Sequence, residues 1–282
     1  MSDPAVTEER ALDLFVHTLN VCHGYDFSGY ARASLKRRVE QLAADLGVSG
    51  IAHLIPRLIY EPSLLGEVIA RLSVPVSEMF RDPEVFAALR EQVLPVLSSY
   101  PRVNIWQAGC ALGEEVYSMA ILAEEAGLLP RCRFYATDIN DKALSHAAEG
   151  IFAARRLDDF AANYRSAGGE RDFADYYRSR YDLIRMRRTL RDRVVFAHHN
   201  LVTDGVFAET HLIMCRNVLI YFSRALKERV LQLFADSLVR GGYLVLGTRE
   251  TLQFSALAPL FETVSEANRI YRLKRDRVYR HA

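Results

Sequence analysis

Val103-Asn-Ile-Trp-Gln-Ala-Gly109-Cys-Ala-Leu-Gly113-Glu-Glu115 reads as strand, glycine turn and helix start. Val103, Ile105 and Trp106 are the β-branched and aromatic residues of a buried strand, and Val116, Met119, Ala120, Leu122 and Ala123 follow at helical spacing. Gly109 and Gly113 bracket the bend. Glycine there permits positive φ and close backbone approach to a ligand, and the helix N-terminus offers unpaired amide donors. A nucleotide-type pocket at this turn is the first expectation.

The spacing Gly-x-x-x-Gly is not the Gly-x-Gly-x-x-Gly of dinucleotide folds, and Glu114 and Glu115 stand where a pyrophosphate would bind. Two carboxylates repel phosphate and suit a ligand that carries a cation, such as the amino group and sulfonium of S-adenosylmethionine. A plain glycine turn, with the glutamates complementing the helix dipole, reads equally well from this stretch alone.

Working outward, 282 residues suggest a main domain and a smaller one, and half the chain is hydrophobic, enough for a large core. The net charge of +1 gives no global drive toward nucleic acid or membrane, so any electrostatic partner must be met by a local patch. The four cysteines show neither a C-x-x-C pair nor zinc spacing and read as reduced cytosolic thiols. The start Ser2-Asp3-Pro4, with Glu8 and Glu9, lacks the features of a signal peptide, and no segment approaches ~20 uncharged apolar residues. A cytoplasmic protein without membrane insertion is expected.

Residues 1–73 carry helical periodicity: Leu12, Phe15, Val16 and Leu19; Leu35, Val39, Leu42 and Leu46; Ile51, Leu54, Ile55, Leu58 and Ile59; then Leu64, Leu65, Val68, Ile69 and Leu72. This predicts an all-helical N-terminal domain. Its second helix carries Arg32, Lys36, Arg37 and Arg38, for which a solvated face is the ordinary explanation. Residues 74–82 read as a linker, extended by Pro75 and the alternating Val74 and Val76. Asp82 and Pro83 then cap and open a helix.

From 83 to 282 strands and helices alternate, which implies an α/β domain with a parallel sheet and its ligand at the carboxyl ends of the strands. Asp138 ends the second strand, where an acid can accept hydrogen bonds from ribose hydroxyls; helix capping is its other reading. Residues 172–193 form an arginine-rich excursion and a candidate β-subdomain, whose interleaved aspartates predict a salt-bridged surface rather than a nucleic-acid site. Two strands lead to Asn200-Leu201 and Arg216-Asn217. A helix from Ser223 to Leu238, stopped by Gly241 and Gly242, precedes a strand and a final antiparallel pair. His198 and His199, adjacent on a strand, face opposite ways and hold no metal.

Five stretches in order, Ser77-Glu-Met-Phe-Arg81-Asp, Ala108-Gly-Cys-Ala-Leu-Gly-Glu-Glu-Val-Tyr117-Ser, Ala136-Thr-Asp138-Ile-Asn, Asn200-Leu201 and Cys215-Arg-Asn217-Val218-Leu-Ile-Tyr221-Phe, resemble the CheR-type chemotaxis receptor glutamate O-methyltransferases. The resemblance spans nearly the whole chain. It implies a seven-stranded Rossmann-like S-adenosylmethionine methyltransferase domain with a small β-subdomain, behind an all-α leader. It further implies that Ser77, Arg81, Glu114, Asp138, Asn200, Leu201, Asn217 and Val218 line the S-adenosylmethionine site beside the turn glycine Gly109, with Arg81 and Tyr221 near the methyl acceptor. Pro75 and Ser77 depart from a common asparagine and threonine, and Val116 from a common proline; Pro75 has no side-chain donor, so that contact is not carried over.

On this resemblance the product is S-adenosylhomocysteine and the partner is the cytoplasmic domain of a methyl-accepting chemoreceptor. Arg32, Lys36, Arg37 and Arg38 become its docking face. The run from Tyr176 to Leu183 is short and lacks glycine, which predicts independence from a receptor tail pentapeptide. An amine or nucleic-acid methyltransferase would need an Asn-Pro-Pro-Tyr type run where Arg216-Asn217-Val218-Leu219 stands. A binding protein that keeps the fold without turnover is the remaining alternative.

Overall fold

The computed structural model describes residues 4–73 and 75–275. The expected extended state of Val74 and the part of the second domain beyond Arg275 lie outside the described residues.

Four helices, α1 (Pro4–His23), α2 (Arg32–Asp45), α3 (Leu54–Tyr60) and α4 (Leu65–Leu72), form the N-terminal unit. The apolar stripes meet in one core: Leu12, Phe15, Leu19, Val39, Leu42, Leu54, Leu58, Val68 and Leu72 are fully buried. Ile59, expected in the third stripe, is 45% exposed, because α3 is only two turns long and Leu54 and Leu58 already fill its inner face.

After the linker, a helix runs through α5 (Pro83–Ala88), a π-helical turn (Leu89–Val93) and α6 (Leu94–Leu97). The elements β1 (Val103–Ala108), α7 (Glu114–Glu125), β2 (Cys132–Asp138) and α8 (Asp141–Glu149) follow as predicted. Then come β3 (Ile151–Ala153), α9 (Leu157–Ser166), β4 (Tyr177–Arg180), β5 (Leu183–Met186), α10 (Arg188–Arg191), β6 (Val194–His198) and β7 (Thr210–Cys215). The chain closes with α11 (Arg224–Ser237), β8 (Leu238–Leu246), β9 (Phe261–Ser265) and β10 (Ile270–Leu273).

Seven strands form one sheet in the order β6-β2-β1-β7-β8-β10-β9, parallel from β6 to β8 and antiparallel around β10. Successive residues of β1 feed opposite layers: Ile105 packs with α7 and the helix after the linker, while Trp106 packs with α11. Strand order reverses between β1 and β7, and a crevice opens there at the carboxyl edge.

The structure corrects several local expectations. The small sheet has the order β3-β5-β4, so it takes a strand from Ile151–Ala153, outside residues 172–193. A three-residue strand is too short to show a period of two. The aspartates of the excursion leave Arg178, Arg180 and Arg185 without an ion pair among the described residues; Arg188–Asp192 is the pair formed within it. Helix α11 ends at Ser237, one residue before the expected end, but the glycines do not stop it: Leu238 is already extended and pairs with Thr210. Gly241, at φ 79°, instead belongs to a bulge that shifts the β7–β8 register. Asp82 makes no capping bond, because its carboxylate is taken by Arg216 at 2.6 Å.

Candidate functional site

A cleft whose empty space, with the open solvent at its mouth included, is about 940 Å³ lies over the carboxyl ends of β1, β2, β6 and β7. Gly109 is required at its floor twice over. Its φ is +73°, and a Cβ there would stand 2.5 Å from Val218 across the switch point. The amides of Gly109 and Cys110 both donate to the Thr137 carbonyl at 2.8 and 2.9 Å, fastening the turn to β2. Gly113, at φ +93°, precedes α7 and packs its Cα against Ala147 too closely for a side chain.

Asp138 lies in the cleft at the end of β2. One carboxylate oxygen accepts the Ala111 amide at 2.9 Å and the other the Asn140 amide at 3.0 Å. The cap of α8 is Asn140, whose side-chain oxygen accepts the amides of Lys142 and Ala143. Burial raises the Asp138 carboxyl above the usual aspartate range, and those backbone donors hold part of the rise back.

Ser77, Arg81, Gly109, Asp138, Asn200, Leu201, Asn217, Val218 and Tyr221 all line the cleft. Glu114 does not. It is fully buried, its carboxylate paired with Arg156 at 2.7 Å and hydrogen-bonded by the Ser77 hydroxyl. The glutamate that reaches the cleft is Glu115, held by Gln107 at 2.6 Å and Arg216 at 2.5 Å. Neighbours on a helix point about 100° apart, so only one of two adjacent carboxylates can face a given ligand.

Arg216 is wholly buried and spans three segments. It donates to Glu115, to Asp82 and to the Arg81 carbonyl at 3.0 Å, so it fixes the linker over the cleft. Two carboxylates against one guanidinium leave this corner net negative, which favours a cationic ligand group. The Arg81 guanidinium itself has no hydrogen bond or ion pair among the described residues and is free to meet an anion.

Sequence reading assigned no role to Glu250, which follows β8 and is 5% exposed. Its carboxylate accepts the amides of Gly247 (2.6 Å), Asn217 (3.1 Å) and Ile220 (3.2 Å). One buried group thereby shapes the loop that carries Asn217, Val218 and Tyr221. Burial raises its carboxyl, with the same amides opposing the rise. Its only sequence signal was an acid three residues past a strand-ending glycine. Among the described residues, four of the six non-glycine residues with positive φ, Phe80, Asp82, Ala111 and Asn217, lie in segments walling this cleft, and such strain gathers at working sites.

The N-terminal unit also contributes. Tyr30, Leu72 and Ser73 line the cleft, and Asn140 donates to the Ser73 hydroxyl at 3.0 Å. On the helix face expected to dock a partner, Arg32 pairs with Glu9 and Asp13, Lys36 pairs with Glu9, and Arg38 lies over the Tyr221 ring. Arg37 remains exposed. Burial pushes the Cys110 and Cys215 thiols well up, so neither is a thiolate nucleophile at neutral pH. Among the described residues no group of three or more His, Cys, Asp or Glu is placed to hold a metal. None of their helices is long and apolar enough to cross a membrane.

Residues 75–268 match the family model described as CheR methyltransferase, SAM binding domain, and residues 10–73 that of the CheR methyltransferase all-alpha domain. Cher3 of Pseudomonas putida, a methyltransferase by name, is 45% identical over 95% of this chain and 99% of its own. A chemotaxis protein methyltransferase of Listeria monocytogenes is 31% identical over 81% of this chain and 85% of its own. Chemotaxis protein methyltransferase 1 of Vibrio cholerae is 34% identical over 69% and 71%.

Proposed function

The chain belongs to the CheR methyltransferase family, with S-adenosylmethionine as its cofactor, and from that premise we propose that it methylates the γ-carboxylate of glutamates on the cytoplasmic domain of a chemoreceptor. The products are a glutamate methyl ester and S-adenosylhomocysteine, and the enzyme works in the cytoplasm. The residues fit the cofactor. Asp138 offers its ribose a hydrogen-bond acceptor, Ile139, Leu201 and Val202 offer its base apolar walls, and Glu115 offers its ammonium a carboxylate. Ser77, Asn200, Asn217 and Val218 complete the lining, with Glu114 holding Ser77 from behind. When bound, the cofactor supplies an electrophilic methyl on a sulfonium.

The observation that carries the reading is the unpaired Arg81 guanidinium in the same cleft as Tyr221 and Glu115. A glutamate with a pKa near ~4.3 is already ionised at neutral pH, so no general base is needed. The acceptor must be positioned and partly desolvated. Arg81 grips one carboxylate oxygen and leaves the other pointing at the methyl, while the Tyr221 hydroxyl orients the same group. The amine-methylating alternative lacks its acceptor run.

Docking independent of a tail pentapeptide remains part of this reading. Tyr181 takes the left-handed turn position, at φ 53°, in a two-residue hairpin between β4 and β5 that offers no glycine for close strand approach. Incubation with radiolabelled S-adenosylmethionine and receptor cytoplasmic domains, with and without their tails, tests both parts. Base-labile label on glutamate supports the ester; base-stable label, or binding without any transfer, defeats it. Loss of labelling on removing the tail defeats independence alone.

A further inference from the structure

Tyr221 is not held by the methyltransferase domain alone. Its carbonyl accepts the Ala31 amide at 2.7 Å, the next residue, Phe222, forms an antiparallel bridge with Tyr30, and the Ser223 amide donates to Gly29 at 2.7 Å. The N-terminal unit thus splices its loop onto the short 3-10 turn Leu219–Tyr221. Above the ring, the Arg38 guanidinium carbon stands 4.5 Å from the Tyr221 centroid, and its Nη1 donates to the Leu72 carbonyl at 2.5 Å. Arg38 is half-buried and lies outside the cleft lining, behind Tyr221.

From this geometry we infer that Arg38 is a positioning residue for methyl transfer, supplied by the N-terminal unit, and not a docking cation. The inference rests on the proposed role of Tyr221 at the acceptor. A guanidinium stacked on a ring and tethered at its far side fixes the plane of that ring, hence where its hydroxyl points. The backbone bonds fix the height of the turn; Arg38 fixes the orientation. A docking residue needs its charge free toward solvent, whereas this charge is spent on an aromatic face and a carbonyl. Glu40, two positions later on the same helix, is exposed and makes the control.

The test is steady-state kinetics of receptor methylation. Arg38→Met is expected to lower kcat about tenfold, in line with a partly desolvated cation over a ring, while the receptor KM and cofactor Kd stay within about twofold. Arg38→Lys, which keeps charge without the planar stack, should recover only part of the loss. Glu40→Gln, at an exposed position of the same helix with no assigned role, should leave kcat unchanged. In a Tyr221→Ala background, Arg38→Met should add almost nothing, since the ring it orients is gone.

A raised receptor KM with unchanged kcat, relieved by salt, would make Arg38 a docking cation and overturn the inference. Losses from Arg38→Met and Tyr221→Ala that simply multiply would overturn it too, leaving the role of Tyr221 intact. Full kcat in Tyr221→Ala would instead remove Tyr221 from the acceptor site, and the inference with it.

Discussion

Helix α2 and the small sheet look alike in the sequence, each a short run dense in arginine, yet the fold wires them in opposite ways. On α2, Arg32 and Lys36 are neutralised by Glu9 and Asp13 from a different helix, and Arg38 is drawn against Tyr221. On the small sheet, Arg178 and Arg185 stand opposite each other across β4 and β5, with Arg180 beside them. None has an ion pair among the described residues, despite aspartates close by in sequence. Opposite charges pair when their backbones place them within reach; proximity along the chain is a poor guide outside helical i,i+4 spacing. Arginine count therefore says little, and the location of the nearest carboxylate in space says most.

The comparison is sharpest at its buried extreme, Arg216. Arg216→Ala leaves the buried Glu115 and the half-buried Asp82 carboxylates without their cation and should cost about 3–5 kcal/mol in urea-monitored stability. A loss below ~1 kcal/mol would mean that burial does not set the value of an arginine here. Arg81 is the opposite kind of cleft arginine, lining the cleft with no ion pair among the described residues. Arg81→Ala should lower methyl transfer by on the order of a hundredfold, with little change in stability and a smaller change in cofactor affinity. Equal losses in transfer and affinity would move its role from acceptor to cofactor.

Asp138 carries the comparison to carboxylates. Asp138→Ala should weaken S-adenosylmethionine binding by ~1–3 kcal/mol by calorimetry. Because burial raises its carboxyl above the unfolded value, the ionised form costs the apoprotein stability at higher pH. That cost is released as pH falls through the raised value. Ribose binding runs the other way, since the ionised carboxylate is the better acceptor. Affinity in the wild type should thus fall on mild acidification, and a pH-independent Kd would contradict this role. The smallest effect belongs to the open sheet face: Arg178→Gln should shift Tm by less than about 2 °C. A larger shift would reveal a partner contact for this face.

What the sequence determined by itself was everything with a local cause. The glycine turn at Gly109 and Gly113 was legible because only glycine tolerates its φ and its clearance. The order of strands and helices was legible because buried strands and amphipathic helices have their own periods. Asp138, Asn200 and Asn217 could be put at one edge because each lies at the carboxyl end of a strand of a parallel sheet. The third strand of the small sheet was too short to have a period, and Gly241 and Gly242 were read as a helix stop because a bulge glycine resembles one.

Only the tertiary structure decided which of Glu114 and Glu115 faces the cleft, that Glu250 gathers the amides of two loops, and that Arg38 reaches Tyr221 across 183 positions. Each is a meeting of side chains from distant segments. Side-chain direction depends on how whole elements pack, and a charge inside a fold takes the nearest partner that packing offers, which no local pattern encodes.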